Sequence, residues 1–224
     1  DVARNRAGGA AIADLLAAQG ATVIGTATTE SGAAAIGERL AAHGGHGRAL
    51  NVTDAAALDA VLADIAKEFG PISILVNNAG ILTLGKLADV EDTAFDRQIA
   101  INLKGTFNGL REAARRLRDG GRIISFSTSV VGLKLETYGV YAATKAAVET
   151  MTGILAKELR GRSITVNAIA PGPTATELFF EGKSNEVIER MAKMSPLERL
   201  GTPEDIAGAA SFLAGSDGGW VNGQ

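Results

Sequence analysis

Short runs of consecutive apolar residues alternate along this chain with longer, Ala-rich stretches whose apolar positions recur at helical spacing. The short runs, at 22–26, 48–52, 74–77, 121–126 and 164–170, predict strands. They are apolar throughout rather than at every second position, as in strands covered on both faces of a parallel sheet. The longer stretches predict helices over 10–19, 31–42, 54–69, 93–118, 138–160, 185–193 and 203–214. Gly20 stops the first, Gly44-Gly45 ends the second, and Thr53 or Asp54 can cap the third. The alternation predicts an α/β fold: a doubly wound parallel sheet between two helix layers, with 1–224 as one domain. No linker, repeat or low-complexity tract interrupts it.

In such sheets ligands bind beyond the carboxyl ends of the strands. Polar and small residues gather at those ends. Asn51 follows one strand, Asn77-Asn78-Ala79-Gly80 the next, Ser129 another, and Pro171-Gly172 the last.

Composition narrows the chemistry. The 224 residues are 46% hydrophobic, enough for a sizeable core, and the net charge of −3 argues against nucleic acid as a partner. With no cysteine and only His43 and His46, a thiol nucleophile, a His-based triad and a His- or Cys-ligated metal are excluded. No metal site is expected. No apolar run approaches the ~20 residues of a membrane span, so no membrane partner is expected. The absence of an obvious signal segment points to the cytoplasm.

The candidate chemistry lies in Tyr141-Ala142-Ala143-Thr144-Lys145 and the upstream Ser129. Tyr and Lys four apart share one helix face. An ammonium beside a phenol favours the phenolate, which predicts a lowered Tyr141 pKa and proton exchange with a substrate oxygen. Ser129, just past an apolar strand, can hold the same oxygen. Tyr138 has Ala142 four residues on and cannot form such a pair; it is structural or lines the substrate. Ser127 and Thr128 read as structural.

With Asn77-Asn78-Ala79-Gly80, Ile101-Asn102-Leu103, Ser129, Tyr141-x-x-x-Lys145 and Pro171-Gly172-Pro173-Thr174-Ala175-Thr176 in this order, the chain resembles the short-chain dehydrogenase/reductase family, and within it the 3-oxoacyl-[acyl-carrier-protein] reductases. The resemblance runs from about Gly9 to Gln224. It implies a Rossmann-like three-layer α/β/α fold and reduction of a carbonyl by hydride transfer from NADP(H). The implied substrate is a 3-oxoacyl thioester, free or linked to an acyl carrier protein, or another small ketone. Tyr141 is the implied general acid, Ser129 the hydrogen-bond partner of the carbonyl, Lys145 the modulator of Tyr141 and a ribose ligand, and Asn102 the support of a relay water. Asn102 can alternatively only satisfy backbone groups. The implied cofactor contacts are Arg6, Gly9, Thr28, Asn51, Val52, Asn78, Ala79, Gly80, Tyr141, Lys145, Pro171, Gly172, Thr174 and Thr176. Thr176 can also cap a helix, and Arg6 can be a solvated loop charge. NADP(H) rather than NAD(H) follows from Gly25-Thr26-Ala27-Thr28, which ends the second family strand without an acid. Relatives also imply a homotetramer joined through 93–118 and 138–160, where Ala142, Ala143, Ala146 and Ala147 permit close approach. The segment 178–196 is the implied substrate lid, with Phe179-Phe180 an apolar wall.

The pattern departs from the family at its start. Where a Gly-rich loop is expected, the chain reads Val2-Ala3-Arg4-Asn5-Arg6-Ala7-Gly8-Gly9, with only Gly9 at a motif glycine. The family's first and last strands have no counterpart in the sequence. Since the first lies centrally, two facing strand edges are predicted, with a cost of roughly 1–3 kcal/mol for each unsatisfied buried group. A fragment, missing or misread terminal residues, or a rearranged sheet would each account for this. Residues 1–9 are expected to be irregular or to replace the absent strand, and cofactor binding to be weak. The rival to an enzyme is therefore an impaired or cofactor-free homologue acting as an oligomeric binding module.

Overall fold

The computed structural model describes residues 6–180 and 182–224; for Arg6, Ala7 and Leu178 it describes the backbone alone. Five strands are present among them: β1 (Ile24–Ala27), β2 (His46–Ala49), β3 (Ile74–Asn77), β4 (Arg122–Phe126) and β5 (Thr165–Ile169). The helices are α1 (Arg6–Ala18), α2 (Glu30–Leu40), α3 (Ala55–Phe69), α4 (Asp92–Gln98), α5 (Thr106–Arg116), α6 (Val130–Leu133), α7 (Gly139–Glu158), α8 (Glu177–Phe180), α9 (Asn185–Lys193) and α10 (Pro203–Ala214).

All pairings are parallel, but they form two sheets: β1 with β2, and β3-β4-β5 in that order. Among the described residues β1 and β3 do not pair with each other. The halves share one apolar cluster. Ile12 and Leu16 of α1, Ile124 and Phe126 of β4, and Ala207, Ala210 and Leu213 of α10 form its centre, with Val23 before β1 and Val76 of β3 packed on it. Helix α1 therefore joins the two sheets by side-chain packing rather than backbone pairing. A second cluster lies on β4 and β5 beneath α5 and α7, around Ile123, Val166, Leu110 and Leu159.

Several boundaries differ from expectation for local reasons. Helix α1 begins at Arg6, so residues 6–9 are helical rather than irregular; residues 1–5 lie outside the described residues. The predicted helix over 93–118 is divided: α4 and α5 flank a π-helical segment, Ile99–Gly105, which places Asn102. Caps behave as the sequence implies. Asp54 accepts from the amides of Ala56 and Ala57, and Thr202 and Asp205 form a capping box with Pro203 at the first turn. Gly47 on β2 lets α2 lie directly on the strand, since a Cβ there would meet the Ala33 carbonyl. The last residues run beside β5, Gly223 donating to the Val166 carbonyl at 2.9 Å and Ala168 to that of Gln224 at 2.7 Å.

Candidate active site

The carboxyl ends of β3, β4 and β5 and the first turns of α7 converge on Lys145. This side chain is 5% exposed. Its Nζ donates to the Phe126 carbonyl at the end of β4, 2.7 Å away. It also stands 5.8 Å from the centre of the Tyr141 ring. Gly80, in the loop after β3, comes close: a Cβ there would sit 3.5 Å from Nζ and 3.4 Å from Asn102 Oδ1.

The supporting polar groups are fastened to backbone. Asn102, fully buried, accepts from the Ile81 amide at 2.8 Å and donates to the Ile81 carbonyl at 2.9 Å. Its Nδ2 also reaches Thr144 Oγ1 at 3.3 Å, and Thr144 Oγ1 donates to the Tyr141 carbonyl at 2.7 Å. So the π-helical segment, the β3 loop and α7 are tied by one amide. The loop after β4 is tied on its other side. Ser127 donates from its amide to Ile169 and from Oγ to Glu149 Oε1, at 2.8 and 2.5 Å. The Ser129 amide donates to the Pro171 carbonyl at 2.9 Å, and Ser129 occupies the cap position of α6.

The pKa directions correct one expectation. Burial pushes the Tyr141 phenol up to about 12, against the lowering effect of its hydrogen bond with Thr128. Burial pushes Lys145 down to about 8. Lys145 does not lower the Tyr141 pKa here, because its ammonium is bonded to Phe126 and desolvation of the phenol dominates. Each group is driven toward its neutral form. Thr128, read as structural, contributes to the phenol through that lowering effect, while its Oγ1 accepts from the Val130 amide at 3.4 Å. Glu149, one helical turn beyond Lys145, was not singled out either.

The other expected residues are placed as follows. Thr28 lies exposed just past β1. Asn51 closes the loop after β2 by accepting from the Thr53 amide and hydroxyl at 3.1 and 2.9 Å. The Val52 carbonyl accepts from Asn108 Nδ2 at 2.9 Å. Gly9 packs on Asn78, so closely that a Cβ would meet Asn78 Nδ2 at 2.6 Å, which brings the first turns of α1 to the end of β3. Ala79 and Gly80 continue that loop. The Gly172 carbonyl accepts from Thr174 Oγ1 at 3.0 Å, and Thr174 bridges to Gly201. Thr176 Oγ1 accepts from the Phe179 amide at 3.2 Å, the capping role considered for it. The side chain of Arg6 lies outside the described residues.

The donor set fits a dinucleotide. An ammonium carries three donors, and among the described residues only the Phe126 carbonyl accepts from Lys145. The remaining donors, in a buried place beside Gly80, suit the hydroxyls of a ribose. Among the described residues no group of His, Cys, Asp and Glu side chains could hold a metal ion, and no helix is long and apolar enough to cross a membrane.

Parallel strands that deliver a Tyr–Lys pair, a serine and small-residue turns to one edge define a Rossmann-like α/β protein. The family described as Enoyl-(Acyl carrier protein) reductase matches residues 2–224. A short-chain type dehydrogenase/reductase of Picea abies is 50% identical over 170 residues, covering 74% of this chain and 63% of the relative. An NADPH-dependent aldehyde reductase-like protein, chloroplastic, of Arabidopsis thaliana is 49% identical over 158 residues, 69% of this chain and 58% of the relative. The chain thus spans about three-fifths of the length of these two relatives. The solved structure of a short chain dehydrogenase from Burkholderia cenocepacia J2315 in complex with NADP is 33% identical, with a TM-score of 0.87 over 96% of this chain and 89% of that one. The chain belongs to the short-chain dehydrogenase/reductase family.

Proposed function

We propose that this chain, acting as a single domain over 1–224, reduces a carbonyl compound to an alcohol with NADPH. NADP(H) is the cofactor: a plant relative is named for NADPH dependence, and the Burkholderia structure holds NADP. The exposed end of β1 fits this, since Thr28 can bond a 2′-phosphate and residues 24–28 hold no acid. When bound, the cofactor supplies the hydride.

The chain's own residues hold the carbonyl and deliver the proton. Tyr141 donates its phenolic proton to the carbonyl oxygen as negative charge develops there. A phenol held near 12 is fully protonated at neutral pH, and the alkoxide that forms is a far stronger base than phenolate, so the transfer runs downhill. Ser129 bonds the same oxygen, and Thr128 orients the phenol. Lys145 offers its free donors to the ribose hydroxyls. Asn102 acts by fixing Ile81 and Thr144, so that Gly80 and Tyr141 keep their places. The remaining cofactor contacts expected from the sequence belong to the same reading, as do a 3-oxoacyl thioester or other small ketone as substrate, a cytoplasmic setting, and a homotetramer. Phe107 on α5 and Ile154 on α7, about half exposed, are the apolar residues such an assembly would cover.

The observation that carries this reading is the buried Lys145 beside Tyr141, with donors to spare. The test is NADPH oxidation with a panel of ketones, aldehydes and oxoacyl thioesters, with Tyr141→Phe as control. The second reading is a cofactor-free binding module. If NADPH neither is oxidised nor raises the melting temperature, that reading replaces the first.

A further inference from the structure

Eleven large apolar side chains are exposed among the described residues, and six of them stand on the loops that follow β3, β4 and β5: Leu84, Leu87, Leu133, Phe180, Met194 and Leu197. Leu87 and Leu197 are the barest of the six, at 74% and 75%. Single exposed leucines need no explanation, but six on the segments that leave one edge of the sheet point to a binding surface. These three loops leave the same edge of the sheet as the loops that carry Ser129 and the first turn of α7.

Contacts connect the cluster to the site. The Gly85 amide donates to the Thr137 carbonyl at 3.0 Å, and a Cβ on Gly139 would meet Leu87 at 2.6 Å, two residues before Tyr141. The Leu133 amide donates to the Ser129 carbonyl at 3.1 Å, so Leu133 lies one helical turn from Ser129. The chain around Leu197 returns to the site through Gly201, whose amide donates to Pro173 at 2.9 Å. Pro173 lies two residues beyond Pro171, the acceptor for Ser129.

The same loops carry no excess of positive charge. Residues 78–90, 127–138 and 170–201 hold six basic and seven acidic residues. Two of the six basic ones are engaged: Arg199 pairs with Asp205 at 2.6 Å, and Lys183 Nζ donates to the Phe179 carbonyl at 2.6 Å. Coenzyme A and the phosphopantetheine arm of a carrier protein both carry phosphate, which is recognised by clustered, available cations. The mouth of this site offers apolar surface instead.

We infer that the substrate is an uncharged ketone or aldehyde with an extended apolar body, delivered free rather than on a phosphate-bearing carrier. This rests on the proposed carbonyl reduction and narrows it. The test is a series of methyl ketones of lengthening alkyl chain, run beside acetoacetyl-N-acetylcysteamine and acetoacetyl-coenzyme A, which share a reacting group and differ in phosphate. Binding of the same ketones is followed in parallel by ligand-observed NMR with NADP⁺ present, which needs no turnover. We expect kcat/KM and affinity to rise with chain length, by up to about fourfold for each methylene fully buried. Leu87→Ser and Leu197→Ser should flatten the series. The coenzyme A thioester should gain nothing over the N-acetylcysteamine one. A flat series in both readouts, or a tenfold preference for the coenzyme A thioester, would overturn the inference. Ordered binding without NADPH oxidation would leave it standing and sink the proposed reaction instead.

Discussion

Replacing Lys145 with Met should make the protein more stable while ending its activity. Lys145 is 5% exposed, and burial lowers its pKa from 10.5 to about 8. Each pKa unit is worth ~1.4 kcal/mol, so holding the ammonium in this place costs about 3 kcal/mol. Met keeps the unbranched stem and removes the charge. Against this, the Phe126 carbonyl loses its 2.7 Å donor, a loss of about 1–2 kcal/mol. The net expectation is a gain of about 1–2 kcal/mol at pH 7, or roughly 2–8 °C in melting temperature for a chain of this size. The sign with pH follows from linkage. A lysine with a depressed folded pKa contributes stability fully present above its unfolded value and lost as pH falls through its folded one. The advantage of Met should therefore be full below about pH 8, vanish near pH 10 and turn into a deficit of about 1–2 kcal/mol above pH 10.5, where only the lost Phe126 bond remains. Denaturant unfolding of both proteins at pH 7 and near pH 10 measures it. A Met variant less stable than wild type at pH 7, or a difference unchanged with pH, would refute the account of Lys145 as a strained, functional charge.

Tyr141→Phe should lower kcat by at least about a hundredfold, the usual scale of a general acid, with NADPH affinity nearly unchanged; a loss under tenfold in ketone reduction assays would remove Tyr141 from the proton-transfer role. Glu112, 2% exposed on α5, is bonded by Arg111, Arg115 and Arg116. Burial alone would raise its pKa, but the bonds from Arg116 and Arg111 and the nearby charges outweigh that and lower it. Glu112→Ala should thus cost about 2–3 kcal/mol at pH 7, below the range for a fully buried pair because the arginines can rehydrate. The gap should narrow in acid, since a lowered carboxylate loses its contribution as pH falls through its folded pKa; thermal unfolding between pH 7 and pH 3 checks this, and equal stabilities at pH 7 would contradict it. NADPH should raise the melting temperature more than NADH at equal concentration, and an equal or larger effect of NADH would undo the 2′-phosphate assignment. Trp220, 97% exposed, is a poor reporter for that experiment, so thermal shift is the better readout.

Strand and helix identity was legible because the two periodicities differ and the apolar runs are unmixed. What escaped was decided by tertiary geometry. Residues 93–118 carry no Gly or Pro that would divide them before Gly105, yet the helix widens at Ile99–Gly105, where Asn102 ties Ile81 and Thr144. The pairing of Tyr141 with Lys145 was read correctly from spacing, but its electrical consequence was not. Spacing reveals proximity along a helix; it is silent on desolvation, which here pushes Tyr141 up and Lys145 down. The contribution of Thr128 depends on the turn after β4, whose shape is set by Ser127 bonding Ile169 and Glu149 rather than by any local motif.

The same bonds order the site within one group of strands. The reacting groups all belong to β3-β4-β5 with α7, while β1 and β2 lie on the side of the expected adenine and phosphate contacts. Asn102, Ser127 and the Ser129 amide each fasten one loop of the β3-β4-β5 group to its neighbour by bonds of 2.5–2.9 Å. Helix α1, by contrast, meets the site chiefly through Gly9 against Asn78. Perturbing the α1–β1 side should therefore weaken cofactor affinity before it weakens proton transfer, whereas perturbing Asn102 or Ser127 should do the reverse. Separate measurement of NADPH dissociation constants and kcat for variants on each side distinguishes the two. Coupled losses from both sides would mean that the halves act as one sheet.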